Sequence, residues 1–278
     1  MLLQIEHDTY YRFEAPQRYT IQTLRFTPKN DPVQQIMRWG IRANSNGFMP
    51  QFEDSFGNIT HTLALDRPHE DVRITVSGEV LTRDTGGVFG FGTEILPIAV
   101  YLRETDLTVA DPEMIEFAEQ LRGGARGAEL TEIDLMHRLS DAIADKVAYQ
   151  IGQTHSETAA SEAFAKEQGV CQDHAHIFVA CARRLGVPAR YVSGYMWHDP
   201  HSGDGEAAHA WAEAYIPDLG WVGFDPSNRQ CPTEAYVRMA VGLDYRGAAP
   251  ILGLRHGGGD EEMEVKVRIA QARAVNQS

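Results

Sequence analysis

Residues 169–176, Gly-Val-Cys-Gln-Asp-His-Ala-His, place a cysteine at the point where a helix is predicted to begin. Apolar residues follow this segment at helical spacing: Ala175, Phe178, Val179, Ala182 and Leu185. The periodicity predicts a buried helix that starts at or just after Cys171. A thiol there faces the positive end of the helix dipole and unpaired backbone N–H groups, which favour the thiolate, the nucleophilic form of cysteine. A nucleophile also needs a base, an orienting acid and a pocket.

The first 83 residues carry a β pattern. Apolar and polar residues alternate in runs that turn-forming residues separate, and the runs lie at 3–13, 37–43, 59–65 and 72–80. Period-two patterning predicts short antiparallel strands that each bury one face, and several in succession predict a small sandwich or barrel. We therefore expect an all-β, sandwich-like N-terminal domain over residues 1–83.

A glycine-rich segment at 84–100 marks the predicted boundary of this domain. Its glycines are Gly86, Gly87, Gly90 and Gly92. The segment lacks the Lys-Ser/Thr pair of a phosphate-binding loop, and no strand-to-helix context surrounds it. We interpret it as a linker, with a flap as the alternative.

Helices and strands are mixed in the rest of the chain, which predicts an α+β domain over residues 101–270. Asp111 and Thr131 carry N-cap signals for two core-building helices. Strand patterns then follow the cysteine helix, at 189–197, 207–216 and 221–225. A last pair of strands is predicted from the alternation at 236–241 and 263–269.

The acidic composition and the few cysteines limit the classes of function. The chain has 278 residues, a formal net charge of -14 and a pI of about 5.2. This argues against nucleic acid as a partner, because phosphate contacts need a basic face. Three cysteines predict no disulfide framework, and neither a signal-peptide pattern nor an apolar run of membrane-spanning length is present. We expect a cytoplasmic protein with no membrane partner and no cofactor.

Two residues on a predicted hairpin are candidates for the base and the acid. His209 lies near the start of the first strand and Asp225 closes the second, so both lie at one end of the hairpin. A four-residue loop would place Asp225 opposite Ala212, on the wrong face of the sheet. A three-residue loop or a bulge would place it opposite Trp211, on the face of His209. The sequence leaves both registers open.

Several segments of the chain together resemble the bacterial transglutaminase-like cysteine protease family. They are residues 169–176, Gly-Val-Pro-Ala-Arg-Tyr-Val-Ser-Gly-Tyr at 186–195, His-Ala-Trp-Ala-Glu-Ala-Tyr at 209–215 and Gly-Trp-Val-Gly-Phe-Asp-Pro-Ser-Asn at 220–228. Asp-Ser-Phe-Gly-Asn at 54–58 resembles part of that family's N-terminal domain. The resemblance covers nearly the whole chain. One departure is His174, where the family more often has an aromatic residue.

The resemblance implies a papain-like core, in which the helix that carries the cysteine packs on an antiparallel sheet. It also implies a Cys171, His209 and Asp225 triad for acyl transfer on amide bonds of a peptide or protein substrate. The reaction would be peptide or isopeptide hydrolysis, or protein transglutamination. The oxyanion would meet the backbone N–H of Cys171 and a second donor. Candidates for this donor or for substrate binding are Gln172, Tyr149 and Trp211, the last with a plain core role as its alternative.

Two alternatives to the triad stay open at this point. One is a non-catalytic module that binds peptides or proteins on the same scaffold, because a fold does not establish a function. The other is a metal site built from Cys171, His174, His176 and His209, since Cys-x-x-His is a conceivable zinc half-site. The first three of these residues do not all point one way on a helix, and we predict no metal.

Three further residues have structural interpretations. Cys181 in the middle of the predicted helix is expected in the core, and Cys231 in a loop is expected to have no chemical role. Glu213 shares the strand face of His209 and is expected to be a salt-bridge partner rather than a second catalytic acid.

Overall fold

The computed structural model describes residues 1–44, 49–92, 95–123, 130–199 and 207–272. The elements of the first part are β1 (Leu2–Gln17), β2 (Tyr19–Thr27), β3 (Gln34–Ala43), β4 (Gln51–Glu53), β5 (Ile59–Leu65), β6 (His69–Thr82) and β7 (Val88–Gly90). The middle part contains α1 (Pro112–Arg122), α2 (Glu132–Lys146), β8 (Ala148–Tyr149), α3 (Ala160–Lys166), β9 (Gln168–Gly169) and α4 (Cys171–Arg184). The last part contains β10 (Ala189–Met196), β11 (Ala208–Ile216), β12 (Gly220–Phe224), β13 (Tyr236–Gly242), α5 (Tyr245–Ala248), β14 (Ile251–His256) and β15 (Glu261–Gln271). None of the helices in the described ranges is long and apolar enough to cross a membrane.

Two four-stranded antiparallel sheets share one apolar core in the N-terminal region. Their strand orders are β15-β1-β6-β3 and β14-β2-β5-β4. Ile5 and Val76 of the first sheet belong to the same buried cluster as Leu24 and Leu63 of the second. The alternating sequence pattern therefore builds a sandwich, as predicted, because each strand buries its apolar side against the other sheet.

Two strands of the sandwich come from the C-terminal end of the chain. β14 pairs with β2 and β15 pairs with β1, although the sequence analysis assigned residues up to 270 to the second domain. The predicted pairing of 263–269 with 236–241 is wrong, because β13 pairs with β10. An alternating pattern shows that a strand has one buried face, but it carries no information on which strand lies beside it.

A separate five-stranded antiparallel sheet has the order β13-β10-β11-β12-β7. The long helix α4 packs across β10 and β11, and α1, α2 and α3 pack around α4. Every residue of α4 from 173 to 183 is buried, as its apolar spacing predicts. β7 lies within the predicted linker and forms an edge strand of this sheet beside β12.

Two amide side chains from the N-terminal region cover the free edge of β13. Gln34 donates to the carbonyl of Arg238 at 2.8 Å and accepts its N–H at 2.9 Å. Asn58 does the same with Val241, at 2.8 Å in both directions. Each amide takes the place of a residue on a neighbouring strand, so the backbone groups of Arg238 and Val241 are paired at this edge. The sandwich therefore holds β13 in place.

Candidate active site

Cys171 is the first residue of α4, where the sequence predicts it. The preceding residue, Val170, donates its backbone N–H to Asp173 Oδ2 at 2.8 Å. Thr154 donates its hydroxyl to the same oxygen at 2.6 Å. Burial raises the pKa of Asp173, and these two donors act against that shift. Asp173 thereby fixes the turn that presents the Cys171 thiol at the helix N-terminus.

The hairpin of β11 and β12 brings His209 and Asp225 together on one face. Its turn has three residues, Pro217–Leu219, which is one of the two loop lengths that the sequence left open. The register places Asp225 opposite Trp211, on the face of His209. As a result, His209 Nε2 and Asp225 Oδ2 lie 2.7 Å apart.

The ring of His209 links the acid to the thiol. Asp225 Oδ2 binds Nε2 of the ring, and the Cys171 thiol lies close enough to the same ring to raise the pKa of His209. Burial would lower the pKa of His209, but the hydrogen bonds to Asp225 and Cys171 raise it to about 10. Burial would raise the pKa of Asp225, but His209 and further donors lower it to about 2. At neutral pH the pair is therefore an imidazolium and a carboxylate.

Several donors besides His209 hold the Asp225 carboxylate. Oδ1 accepts the Ser227 hydroxyl at 2.6 Å and the Asn228 backbone N–H at 3.3 Å. Oδ2 accepts Asn228 Nδ2 and the Tyr236 hydroxyl, each at 2.7 Å. The sequence analysis missed these residues. The spacing of Asp-Pro-Ser-Asn is typical of an Asx turn and could have indicated Asn228, whereas Tyr236 lies on a different strand and carries no local signal.

Gln172 and Trp211 are engaged away from the thiol. Gln172 Nε2 donates one hydrogen bond to the carbonyl of Ser156 at 3.1 Å, and its role as the second oxyanion donor stays a prediction. Trp211 is fully buried, and its ring stacks near the His209 ring at an interplanar angle of 25°, with 6.2 Å between the centroids. Trp211 is therefore part of the core behind the histidine, which was the alternative interpretation.

Tyr149 is the predicted binding residue with the largest exposed surface. It lies on β8, opposite Gly169 of β9, two residues before Cys171, and 47% of its surface is exposed. The short parallel pair of β8 and β9 thus places an aromatic side chain at the entrance to α4. Its role in substrate binding stays a prediction.

His174 is a buried link between two segments near Cys171. Its Nδ1 lies 2.9 Å from the carbonyl oxygen of Val170, and its Nε2 lies 2.9 Å from that of Val147. Carbonyl oxygens only accept hydrogen bonds, so both bonds form together only when each ring nitrogen carries a proton. The residue that departs from the family pattern therefore ties the end of α2 to the turn before the thiol.

Replacing His174 with phenylalanine is expected to lower the free energy of unfolding by about 1–3 kcal/mol, because the buried carbonyl of Val147 loses its donor. Chemical denaturation at neutral pH measures this change. The matched control is His137→Phe, because His137 is exposed on α2 and makes a ring contact with Phe224. Equal effects of the two substitutions would contradict the proposed link.

The histidines of the conceivable metal site do not converge. Both ring nitrogens of His174 face carbonyl oxygens, and Nε2 of the fully buried His176 accepts the backbone N–H of Tyr245 at 3.0 Å. In the part of the chain that the structure describes, no three His, Cys, Asp or Glu side chains are grouped to hold a metal ion. These positions give no support to the metal alternative.

A cysteine at the start of a buried helix, beside a histidine and an aspartate on an antiparallel sheet, defines a papain-like α+β core. Residues 116–226 match the transglutaminase-like superfamily, and residues 3–81 match the bacterial transglutaminase-like N-terminal region. The chain therefore carries a transglutaminase-like core and, before it, the N-terminal region of bacterial transglutaminase-like proteins.

Two of the similar proteins match nearly the whole chain, and a third matches part of it. The chain is 27% identical to an uncharacterized protein from Mycobacterium leprae, over 97% of this chain and 98% of that protein. Its fold matches the crystal structure of a candidate cysteine protease from Cytophaga hutchinsonii with a TM-score of 0.76, at 23% identity, over 97% and 90% of the two chains. An alignment of 108 positions with a protein-glutamine gamma-glutamyltransferase from Pseudomonas aeruginosa shows 32% identity, and it covers 34% of this chain and 16% of that protein.

Proposed function

We propose that the protein catalyses acyl transfer on amide bonds of a peptide or protein, with Cys171 as nucleophile, His209 as acid and base, and Asp225 as orienting carboxylate. The observation that supports this most directly is the position of the His209 ring, which binds Asp225 Oδ2 at 2.7 Å and lies beside the Cys171 thiol, whose proximity raises the pKa of His209. An imidazolium beside a cysteine stabilises the thiolate, which is the attacking form. The carboxylate fixes the ring in the orientation that this requires.

The proposed reaction proceeds through a thioester. The sulfur of Cys171 attacks the amide carbonyl carbon, and the developing negative charge on the oxygen meets the backbone N–H of Cys171 at the start of α4. The C–N bond breaks as His209 gives its proton to the leaving amine. His209 then removes a proton from water, which cleaves the thioester. A primary amine in place of water forms a new amide bond, so hydrolysis and cross-linking use the same three residues.

The alternative of a non-catalytic binding module has less support. Such a module has no need for a contact between a thiol and a charged imidazole, and the two groups would be free to lie apart. Here the Cys171 thiol lies near enough to His209 to raise the pKa of the ring, and His209 also binds a buried carboxylate. We therefore favour the enzyme.

Labelling with iodoacetamide at neutral pH tests the proposal without knowledge of the substrate. We expect Cys171 to be alkylated at least about tenfold faster than the other two cysteines, because only Cys171 has an imidazolium partner. Burial raises the pKa of Cys181 to about 12 and also raises the pKa of Cys231. A time course of the folded protein, read by peptide mass mapping, gives the three rates.

Cys231 is an internal control for accessibility. It is more exposed than Cys171, so accessibility alone would make Cys231 the faster site. The substitution His209→Asn is expected to slow the labelling of Cys171 to the rate of Cys231. If Cys231 is labelled as fast as Cys171 in the unsubstituted protein, the proposed activation of the thiol is wrong.

A further inference from the structure

Tyr236 donates its hydroxyl proton to the Asp225 oxygen that also binds His209. The Tyr236 oxygen lies 2.7 Å from Asp225 Oδ2, the same distance as His209 Nε2. Gln230 Nε2 in turn donates to the Tyr236 oxygen at 2.8 Å. Because the phenol oxygen already accepts this bond, its own proton is directed at the carboxylate. The hydroxyl orientation is therefore determined by residues on both sides of it.

The ring of Tyr236 also packs against the histidine itself. Its centroid lies 5.8 Å from that of His209 at an interplanar angle of 63°, and 5.4 Å from that of Trp211 at 87°. Edge-to-face contacts of this kind are favourable and restrict rotation of the rings. Tyr236 is 4% exposed, so the contacts are made in a buried environment. A single side chain thus touches both the acid and the base of the candidate triad.

The N-terminal sandwich holds the strand that carries this tyrosine. Tyr236 begins β13, and the side chains of Gln34 and Asn58 bind the backbone of that strand at Arg238 and Val241. The position of the Tyr236 hydroxyl is therefore set by contacts that reach across to the N-terminal region. This gives the sandwich a physical connection to the site.

We propose that Tyr236 is a positioning residue, whose hydroxyl fixes the rotation of the Asp225 carboxylate and so the orientation of His209 toward Cys171. The inference rests on the proposed function. Rotation of an aspartate about its terminal torsion is broad and weakly restrained. Without the hydroxyl, Oδ2 loses one of its donors, and the carboxylate can turn out of the geometry that holds the imidazolium beside the thiol.

The test compares Tyr236→Phe with Tyr195→Phe. Tyr195 is a matched control, because it is fully buried on the neighbouring strand, beside Val237, and its hydroxyl lies 2.8 Å from His7 Nδ1. Each substitution removes one buried, hydrogen-bonded hydroxyl and keeps the ring. The midpoint of thermal unfolding measures the loss of stability in each variant. The rate at which iodoacetamide labels Cys171 at neutral pH measures the reactivity of the thiol.

We expect the labelling rate of Cys171 to fall by about tenfold or more in Tyr236→Phe, since the lost bond was made to a charged group. In Tyr195→Phe the rate is expected to stay within about twofold, for a similar loss of thermal stability. The proton resonance of the His209 ring N–H at low field, identified by its loss in His209→Asn, is expected to shift or broaden only in Tyr236→Phe.

Equal labelling rates and an unchanged His209 resonance in the two tyrosine variants would overturn the positioning role. This outcome differs from a failure of the proposed function. In that case Cys171 of the unsubstituted protein is already labelled no faster than Cys231, before any tyrosine is replaced. If both variants slow the labelling of Cys171 equally, Tyr236 acts only through general stability and the inference is also wrong.

Discussion

The Cys171→Ala protein is expected to release neither ammonia nor peptide fragments from a library of peptides and isopeptides on which the unsubstituted protein acts. The expected loss of rate is about 10⁴-fold or more, because no thioester forms without the sulfur and only binding and the oxyanion contact remain. The turn before α4 is held by the backbone of Val170 and by Asp173, so the alanine removes the nucleophile and leaves the helix start intact.

Two further variants make this result specific. Cys231→Ala is expected to keep the activity, because Cys231 lies outside the linked group of Cys171, His209 and Asp225. The double variant Cys171→Ala/His209→Ala is expected to lose no more activity than Cys171→Ala alone, since residues that act as a unit have non-additive effects on the rate. Turnover by Cys171→Ala above the level of a blank would show that another group carries the chemistry.

The same library distinguishes the outcomes of the reaction. Release of ammonia without fragments indicates attack on a glutamine side chain, and fragments indicate cleavage of a peptide or isopeptide bond. Addition of a labelled primary amine shows whether an amine can replace water, because the label then becomes attached to the acyl product. The proposed mechanism predicts that every one of these products disappears together in Cys171→Ala.

The position of the nucleophile was predictable because its determinants are local. The spacing of apolar residues after Cys171 indicates where α4 begins and that the helix is buried. The alternation at 3–13, 37–43, 59–65 and 72–80 likewise indicated β1, β3, β5 and β6, because each strand must bury one face, whereas β2 of the same sandwich was not predicted. Neither pattern says which strands are neighbours, and the pairing of β15 with β1 was accordingly missed.

The pairing of His209 with Asp225 depended on one turn whose length the sequence did not determine. Pro217–Leu219 forms the turn, and Gly220 already belongs to β12. Gly220 has a φ of +76°, and a Cβ atom there would lie 2.3 Å from the carbonyl oxygen of Gly90. Only glycine tolerates both conditions. The register is thus set in part by a strand more than a hundred residues away in sequence, which no local pattern shows.

The residues around Asp225 that the sequence analysis missed are also long-range contacts. Tyr236 reaches Asp225 from another strand, and Gln34 and Asn58 hold that strand from the N-terminal region. A glutamine or asparagine in a polar segment is usually solvated, and nothing in its neighbours marks it as a partner of a distant backbone. Resemblance to a family identifies the reacting residues more readily than the residues that support them.

Glu213, predicted to be a salt-bridge partner, is buried on the five-stranded sheet and lies between two arginines. Arg190 Nε donates to Oε2 at 2.6 Å and Arg238 Nε donates to Oε1 at 2.8 Å. The carboxylate is fully buried, and the Arg190 guanidinium lies 3.7 Å from the centre of the Trp221 ring. The predicted role is confirmed, and the carboxylate supplies negative charge to two cations inside the protein.

The substitution Glu213→Gln is expected to lower the free energy of unfolding by about 3–5 kcal/mol at pH 7, because it removes one partner of a buried charge cluster and leaves the cations less compensated. Urea denaturation measures the change. The matched control is Glu53→Gln, in which the carboxylate that binds Lys29 at 2.6 Å is replaced at an exposed pair. Exposed ion pairs contribute little to stability, so Glu53→Gln is expected to lower the free energy of unfolding much less than Glu213→Gln does.

The loss of stability caused by Glu213→Gln is also expected to become smaller as the pH falls. Burial would raise the pKa of Glu213, but the charges of Arg238 and Arg190 outweigh burial and lower it below its ordinary value of 4.5. A carboxylate with a lowered pKa in the folded state contributes its full stability above the unfolded value and loses it as the pH falls. The difference between Glu213→Gln and the unsubstituted protein should therefore be constant near neutral pH and shrink below about pH 4.5. A difference that grows on acidification would show that Glu213 is not the ionised partner of the two arginines.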